Sequence, residues 1–481
     1  MPSEAELLAG YPAEVSVSAH SVATCVTQTG RVLVVLDDDP TGTQSVCDLP
    51  VLTRWEPEDF RWAFTHQIDG SPAPAVYVLT NTRSLGPVEA EALNRECVAN
   101  ALAAATETNT IVGFVSRSDS TLRGHYPLET DAIADAVREA TGEATDGVVI
   151  VPAFPDAGRV TIGGVHYMSD DTGGLIPVAE TEFAADATFG YSSSELALYV
   201  EEKSQGRFAH TDVMVLDLCL VRGGADAIAD AISPATDSTP IVVDIVTEHD
   251  LRVLALGLIE AERRGKKLLY RVGPPFVRAR LGQEEHAPLS GEELYAGMNP
   301  APGGGLIVVG SHVGLTTRQL TRLTDEHRHA HVVELSVESL LDPEHAGDPI
   351  EETVAAITNA LADGDVILHT SRLLVSRTDP AESLQIARTV SAAVVAVVAR
   401  TLERATPRFV VAKGGITSSD VAAHGLQIRH AIVRGPMLPG LVSVWEPVDG
   451  PAAGIPYVVF AGNVGNDHSL VDVVRKLSST F

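Results

Sequence analysis

The chain has 481 residues, 45% of them hydrophobic and 20% charged, which exceeds what one hydrophobic core organises and reads as two globular domains rather than a disordered chain. A formal net charge of −30, with lysine only at 203, 266, 267, 413 and 476, excludes a broad basic face for nucleic acid. Any anionic ligand must therefore be held by local positive groups against the field of the whole molecule.

Residues 1–28 carry no firm pattern; Met1 to Gly10 lacks the basic start and apolar core of a secretory signal. The expectation is a cytoplasmic protein, which fits Cys25, Cys47, Cys97 and Cys219, scattered without a CxxC pair. No metal-ligand set is read. From residue 29, apolar runs at Arg31–Leu36, Ala75–Leu79, Ile111–Val115, Gly147–Val151, Val213–Leu216, Ile241–Val243 and Lys267–Tyr270 predict strands. Helical stripes at Val88–Ala105, Leu128–Val137 and Asp250–Glu262 lie between them. This alternation predicts an α/β domain with a mostly parallel or mixed sheet covered by helices, over 29–298.

Gly282 to Gly305 turns polar and Gly/Pro-rich, the composition of an interdomain connection. From 299 to 481 the alternation restarts, with strands at Leu306–Val309, Val332–Leu335, Val366–His369, Phe409–Ala412 and Tyr457–Phe460, and helices at Thr316–His327, Ile350–Ala362 and Ala381–Glu403. A second α/β domain is expected, with the site in the cleft between the two. The longest nearly apolar run, Val390 to Val398, is too short to cross a membrane.

Ligands of open α/β sheets bind beyond the carboxyl ends of the strands, so the residues after each strand are candidates for chemistry. After the first strand comes Asp37-Asp38-Asp39-Pro40-Thr41-Gly42, whose adjacent carboxylates repel one another and call for a cation, a donor-rich ligand or backbone N–H groups. A solvated acidic turn reads equally well from the residues alone. Later strands lead into Thr82-Arg83-Ser84, then Ser118-Asp119-Ser120-Thr121-Leu122-Arg123, then Asp156 to Arg159. Arginine among Ser and Thr hydroxyls suits a small polyol bearing a carboxylate, the planar fork gripping the acid. His166 beside Gly163-Gly164 is read as a packed histidine rather than a base. In the second half, Gly310-Ser311, Lys413-Gly414-Gly415-Ile416-Thr417 and Gly462 to Gly465 are Gly-containing loops after strands. Such loops admit phosphate or simply turn tightly, and none has the GxxxxGK[ST] or GxGxxG spacing.

At these residues the sequence resembles the four-carbon acid sugar kinase family. Asp38-Asp39-Pro40-Thr41-Gly42, Thr82-Arg83-Ser84, Asp119 to Gly124, Gly310-Ser311, Gly414 to Thr417 and Gly462 to Gly465 match six motifs of that family in order, from about residue 30 to the end. The resemblance implies a sugar-acid-binding domain followed by a nucleotide-binding domain, with ATP and Mg²⁺ phosphorylating the C4 hydroxyl of threonate, erythronate or 3-oxo-tetronate. It further implies Asp38 and Asp39 as catalytic and substrate-binding residues, with Arg83, Ser118, Asp119, Ser120, Thr121 and Arg123 on the acid. Ser311, Gly414, Gly415, Ile416, Thr417 and Gly462 would meet the nucleotide, and Lys413 or an arginine would offset charge in the transfer. Pro40 and Gln44, in place of the family's usual residues, and Ala461 before Gly462 depart from the pattern. A small-molecule sugar acid and ATP are thus the expected partners, with no nucleic acid or membrane and a homo-oligomer left open. A hydroxy-acid dehydrogenase or isomerase, and a non-catalytic sensor of sugar acid and nucleotide, are the alternatives.

Overall fold

The computed structural model describes residues 2–68, 70–170, 173–342, 347–371 and 380–481. Two compact units emerge, Met1–Pro50 with Trp55–Glu285, and Val51–Arg54 with His286–Phe481.

In the first unit seven strands run parallel in the order Met214–Leu216, Thr239–Val243, Gly147–Val151, Leu268–Val272, Ile111–Arg117, Arg31–Asp37, Ala75–Leu79. The central strands are buried along their run, as in Val32 to Leu36 and Val148 to Val151, because helices cover both faces of a parallel sheet, while the edge strand Met214–Leu216 leaves Val215 exposed. Helices Pro87–Thr108, Leu128–Thr141 and Glu248–Arg263 form the connections, and the first two end on the left-handed residues Asn109 and Gly142. The unassigned first residues belong to this unit, since helix Ala19–Thr29 buries Val22 and Val26 against Ala255 and Ile259. A hairpin of Arg159–Ile162 and Val165–Ser169 turns at Gly163-Gly164, whose N–H groups donate to the buried Asp244 carboxylate at 2.7 and 2.8 Å.

The second unit holds a mixed sheet in the order Pro50–Leu52, His430–Leu438, Leu441–Pro447, Tyr457–Phe460, Val410–Lys413, Leu306–Val309, Val366–Thr370, His331–Leu335. The last five are parallel, and Leu441–Pro447 pairs antiparallel to both its neighbours. This hairpin was not expected, because Gly435-Pro436 breaks the strand pattern; the structure absorbs them in a register shift between Val433 and Gly435, with Gly435 at φ +136°.

The compact units change at Glu285/His286. Leu289 and Leu294 already pack into the second unit's core with Met437, Val442 and Leu477. Gly303-Gly304-Gly305 is not a loose connection. Gly304 N donates to Leu361 O at 2.8 Å and Gly305 N to Asp365 Oδ1 at 2.7 Å, and a Cβ at Gly304 would strike the Gly364 backbone. The glycines are there for close approach. Among the described residues no helix is long and apolar enough to cross a membrane.

Candidate functional site

The carboxyl ends of the Arg31–Asp37 and Ile111–Arg117 strands bring three carboxylates and two guanidinium groups together. Asp37 and Arg117 are register partners on neighbouring strands, and their buried side chains form an ion pair. Arg117 Nη2 also reaches the Asp39 carbonyl and lies 3.3 Å from Asp38 Oδ1. Asp38 is gripped by both sides of the Arg83 fork, Nε at 3.1 Å and Nη2 at 2.6 Å, while Arg83 N donates to Asp38 O at 3.1 Å. Asp39 differs: its side chain is 23% exposed against 3% for Asp38, Oδ1 accepts from the Thr41 N–H and hydroxyl, and Oδ2 stands 3.6 Å from Arg83 Nη1.

Charge follows this geometry. Burial pushes Asp37 up to about 7, with Arg117 opposing and the Asp38 and Asp39 charges adding. Burial would raise Asp39 too, but Arg83, Arg117 and the Thr41 hydrogen bonds outweigh it and hold the carboxyl below its ordinary value. Behind Asp38, buried Glu129 accepts from the Thr82 hydroxyl, and burial, then the Asp38 charge, push it up to about 7.

The loop from Ser118 to Arg123 closes the next side. Ser118 N donates to Val272 O at 2.9 Å, the Thr121 hydroxyl donates to Asp119, and Arg123 Nε donates to Asp119 Oδ2 at 2.7 Å. Burial opposes ionisation of Asp119, yet Arg83, Arg123 and the Thr121 hydroxyl hold it well below the usual carboxylate range. Three successive carbonyls pin the loop: Ser120 O takes His166 Nε2–H at 2.8 Å, Thr121 O takes the Tyr191 hydroxyl at 2.8 Å, and Leu122 O takes the Tyr199 hydroxyl at 2.9 Å. They hold Leu122 at φ +68°, a left-handed conformation that a leucine keeps only when its surroundings over-determine it. His166 is thus a neutral structural group, with Nδ1 accepting from Thr161 Oγ1 at 2.9 Å and burial pushing it down to about 4. Arg123 lies over the Phe183 ring at 4.9 Å; its Nη1 stands 3.8 Å from Asp186 Oδ2, and neither Nη1 nor Nη2 makes a hydrogen bond among the described residues.

In the second unit, three loops gather at the carboxyl ends of Leu306–Val309, Val410–Lys413 and Tyr457–Phe460. Gly310 N and Ser311 N donate to Lys413 O at 3.2 and 3.3 Å, Gly414 N to Phe460 O at 2.8 Å, and Thr316 Oγ1 to Gly462 O at 2.8 Å. Gly414 sits at φ +133°, and a Cβ there would stand 3.0 Å from Thr417 Oγ1 and 3.2 Å from Ser311 Cβ; one at Gly462 would stand 2.6 Å from Ser311 Oγ. Ser311, Gly414, Thr417 and Gly462 are therefore one cluster, followed by Gly415 and by Ile416, which is 60% exposed. Lys413 does not present its charge there. Its Nζ is buried, donates to Ala461 O at 2.6 Å, lies 3.7 Å over the Phe460 ring, and is pushed down to about 7 by burial.

All the residues singled out in each half of the sequence stand at their unit's strand ends. Arg117, Glu129 and Tyr199 were missed, and so was the contact of Arg159 with Ser120. Arg117 had one readable signal, as the last residue before a Ser-rich turn; the tyrosines, 70 and 77 residues from their partners, had none.

The chain matches the Sugar-binding N-terminal domain family over residues 33–280 and the Nucleotide-binding C-terminal domain family over residues 306–470. It is 26% identical over 339 residues to D-erythronate kinase of Heliobacterium modesticaldum, covering 70% of each chain. It is 34% identical over 125 residues to D-threonate kinase of Bordetella bronchiseptica, 26% of this chain and 27% of that one. Crystal structures of a Salmonella typhimurium LT2 protein (TM-score 0.66, 19% identity, 93% of this chain and 99% of that one) and a Haemophilus influenzae protein (0.61, 19%, 92% and 99%) share the fold. The chain belongs to the four-carbon acid sugar kinase family.

Proposed function

We propose that the protein transfers the γ-phosphoryl group of ATP to the C4 hydroxyl of a four-carbon sugar acid such as threonate, erythronate or 3-oxo-tetronate. The observation that carries this reading is Asp39: a carboxylate held ionised by Arg83 and Arg117, yet partly open, at the end of a parallel strand. Asp39 accepts the hydrogen bond of the C4 hydroxyl and aims its oxygen at the γ-phosphorus. The C4–O–P bond forms, the bond to the ADP oxygen breaks, and the hydroxyl proton passes to the carboxylate. A low proton affinity suits orientation better than early deprotonation, and a loose transition state demands little base strength.

Asp38, clamped by Arg83, fixes the turn that carries Asp39. Arg123, whose outer nitrogens make no hydrogen bond among the described residues, takes the acid, and Ser118, Asp119, Ser120 and Thr121 shape the polyol pocket. Ser311, Gly414, Gly415, Thr417 and Gly462 let phosphate oxygens come close to backbone N–H groups, with Ile416 beside them. Among the described residues no three His, Cys, Asp or Glu side chains gather as a metal cage. Mg²⁺ would then be held chiefly by phosphate oxygens and water with Asp39 as a protein oxygen, and would supply neutralisation of phosphate charge. A cytoplasmic setting follows from the need for ATP.

The test is ADP release with Mg-ATP across the stereoisomeric tetronates and their 3-oxo forms, with the product identified by ³¹P NMR. A 4-phospho acid from one or two of them is expected. No ADP above background from any tetronate would overturn the reading.

A further inference from the structure

Three arginines of the acid-facing side each meet a carboxylate: Arg83 with Asp38 at 2.6 Å, Arg117 with Asp37, and Arg123 with Asp119 at 2.7 Å. Arg159 is different. At the start of the Arg159–Ile162 strand, just past the carboxyl end of Gly147–Val151, it donates from Nη1 to Ser120 Oγ at 2.8 Å. Its Nε is buried with no hydrogen-bond partner, and among the described residues no carboxylate stands within ion-pair distance of it. Burial pushes Arg159 below the ordinary arginine value, with the nearby Asp119 carboxylate opposing and the like charge of Arg123 adding. Arg271 also lacks an ion pair among the described residues, but it is almost wholly enclosed, lies over the Tyr126 ring at 4.9 Å and reaches Arg123 O at 3.5 Å.

A guanidinium drawn out of water without a counter-ion costs free energy, and the cost is recovered when an anion arrives. The surroundings are built to hold it still. Ser120, its hydrogen-bond partner, is fixed by His166 through its own carbonyl, and Ser120 adjoins Asp119, which fixes Arg123. Two positive forks thus converge on the same pinned loop, Arg159 with no ion pair among the described residues and Arg123 with Nε on Asp119 and Nη1 3.8 Å from Asp186 Oδ2.

We propose that Arg159 is the second arm of the carboxylate clamp, gripping the substrate's C1 carboxylate together with Arg123 and so setting the direction in which the sugar acid lies. This rests on the sugar-acid reading above. Along the strand ends the order is Arg159, then the Ser118–Arg123 loop, then Asp37 to Asp39, then Arg83. A four-carbon chain anchored by its acid at the Arg159 end directs C4 toward Asp39. The clamp makes the protein selective for acids over the tetritols, which present a hydroxyl where the acid has a carboxylate.

The experiment compares wild type with Arg159→Gln and Arg159→Lys on the best tetronate of the screen, on its neutral amide, and on ATP. For Arg159→Gln, KM for the acid should rise about 10- to 100-fold, the scale of a lost charge-assisted hydrogen bond. KM for ATP should stay within about threefold, and preference for the acid over its amide should collapse. Arg159→Lys should restore part of that preference, since it keeps the charge and loses the fork. Equal preference for acid over amide in wild type and Arg159→Gln would overturn the clamp. If Arg159→Gln does not fold, an Arg159→Lys variant with unchanged acid KM does the same. A wild type that turns over no tetronate overturns the kinase reading instead, and acid binding by calorimetry to wild type and Arg159→Gln then still decides the clamp.

Discussion

Asp37 and Arg117 end two neighbouring parallel strands at the same register position, and their side chains form a buried ion pair against the backbone of Gly42. A Cβ at Gly42 would overlap both Asp37 Oδ1 and Arg117 Nε, so the Thr-Gly of the motif is a packing requirement as much as a turn. Gly42→Ala should lower stability by about 1–3 kcal/mol, the cost of overpacking a close-fitted interior. It should also impair turnover, since the same turn carries Asp39. Urea denaturation checks the first, and an unchanged midpoint would contradict it.

Asp38 and Asp39 should separate into different defects. Asp39→Asn removes the open carboxylate and should cut kcat about 100-fold or more, with a smaller loss of stability than Asp38→Asn because the site is more exposed. Asp38→Asn leaves Arg83 and Arg117 facing a neutral amide in a buried site, and should cost about 3–5 kcal/mol of stability. Reversed outcomes, with Asp38→Asn stable and inactive and Asp39→Asn active and unstable, would exchange their roles.

Glu129 predicts a pH slope. In the folded protein burial and the Asp38 charge keep its proton until about pH 7, whereas the ordinary value is 4.5. Between those values the folded state binds more protons than the unfolded one, so this group's contribution to stability falls as pH rises. The full effect is about 3 kcal/mol. Glu129→Gln keeps the size and the partner for Thr82 and removes the slope, so from pH 5 to pH 8 the variant should gain on wild type by about that amount in urea titrations. Parallel curves would count against it.

The strands were legible because a parallel sheet buries both faces, leaving unbroken runs such as Val32 to Leu36 that no surface helix would carry. The motif residues stand where those runs stop, at the carboxyl ends of the strands. What pairs across the chain was not: Asp37 and Arg117 lie 80 residues apart and meet only through the register of the sheet, while Arg159 and Ser120, 39 apart, meet only where the Arg159–Ser169 hairpin packs on the Ser118–Arg123 loop. Composition also misled at Gly303 to Gly305, where glycine serves contact with Leu361 to Asp365 instead of freedom. At Gly435-Pro436 a strand survives two residues that ordinarily break one, by shifting register.

Lys413 should behave in the opposite sense to Glu129. Burial holds its ammonium near 7 in the folded state against an ordinary 10.5, so above pH 7 the unfolded state binds more protons and stability rises with pH. Lys413→Met keeps the apolar stem over Phe460 and removes both the charge and the hydrogen bond to Ala461 O. Between pH 7 and 9 the wild type should therefore gain on the variant by about 2–3 kcal/mol. Because Ala461 precedes Gly462, loss of that tether should loosen the Gly462 loop against Ser311, raising KM for ATP about tenfold while leaving KM for the acid within about twofold. A variant with unchanged ATP kinetics would show that the loop holds its place without the lysine, and a rise confined to the acid would mean that the Gly462 loop serves the wrong ligand for this assignment.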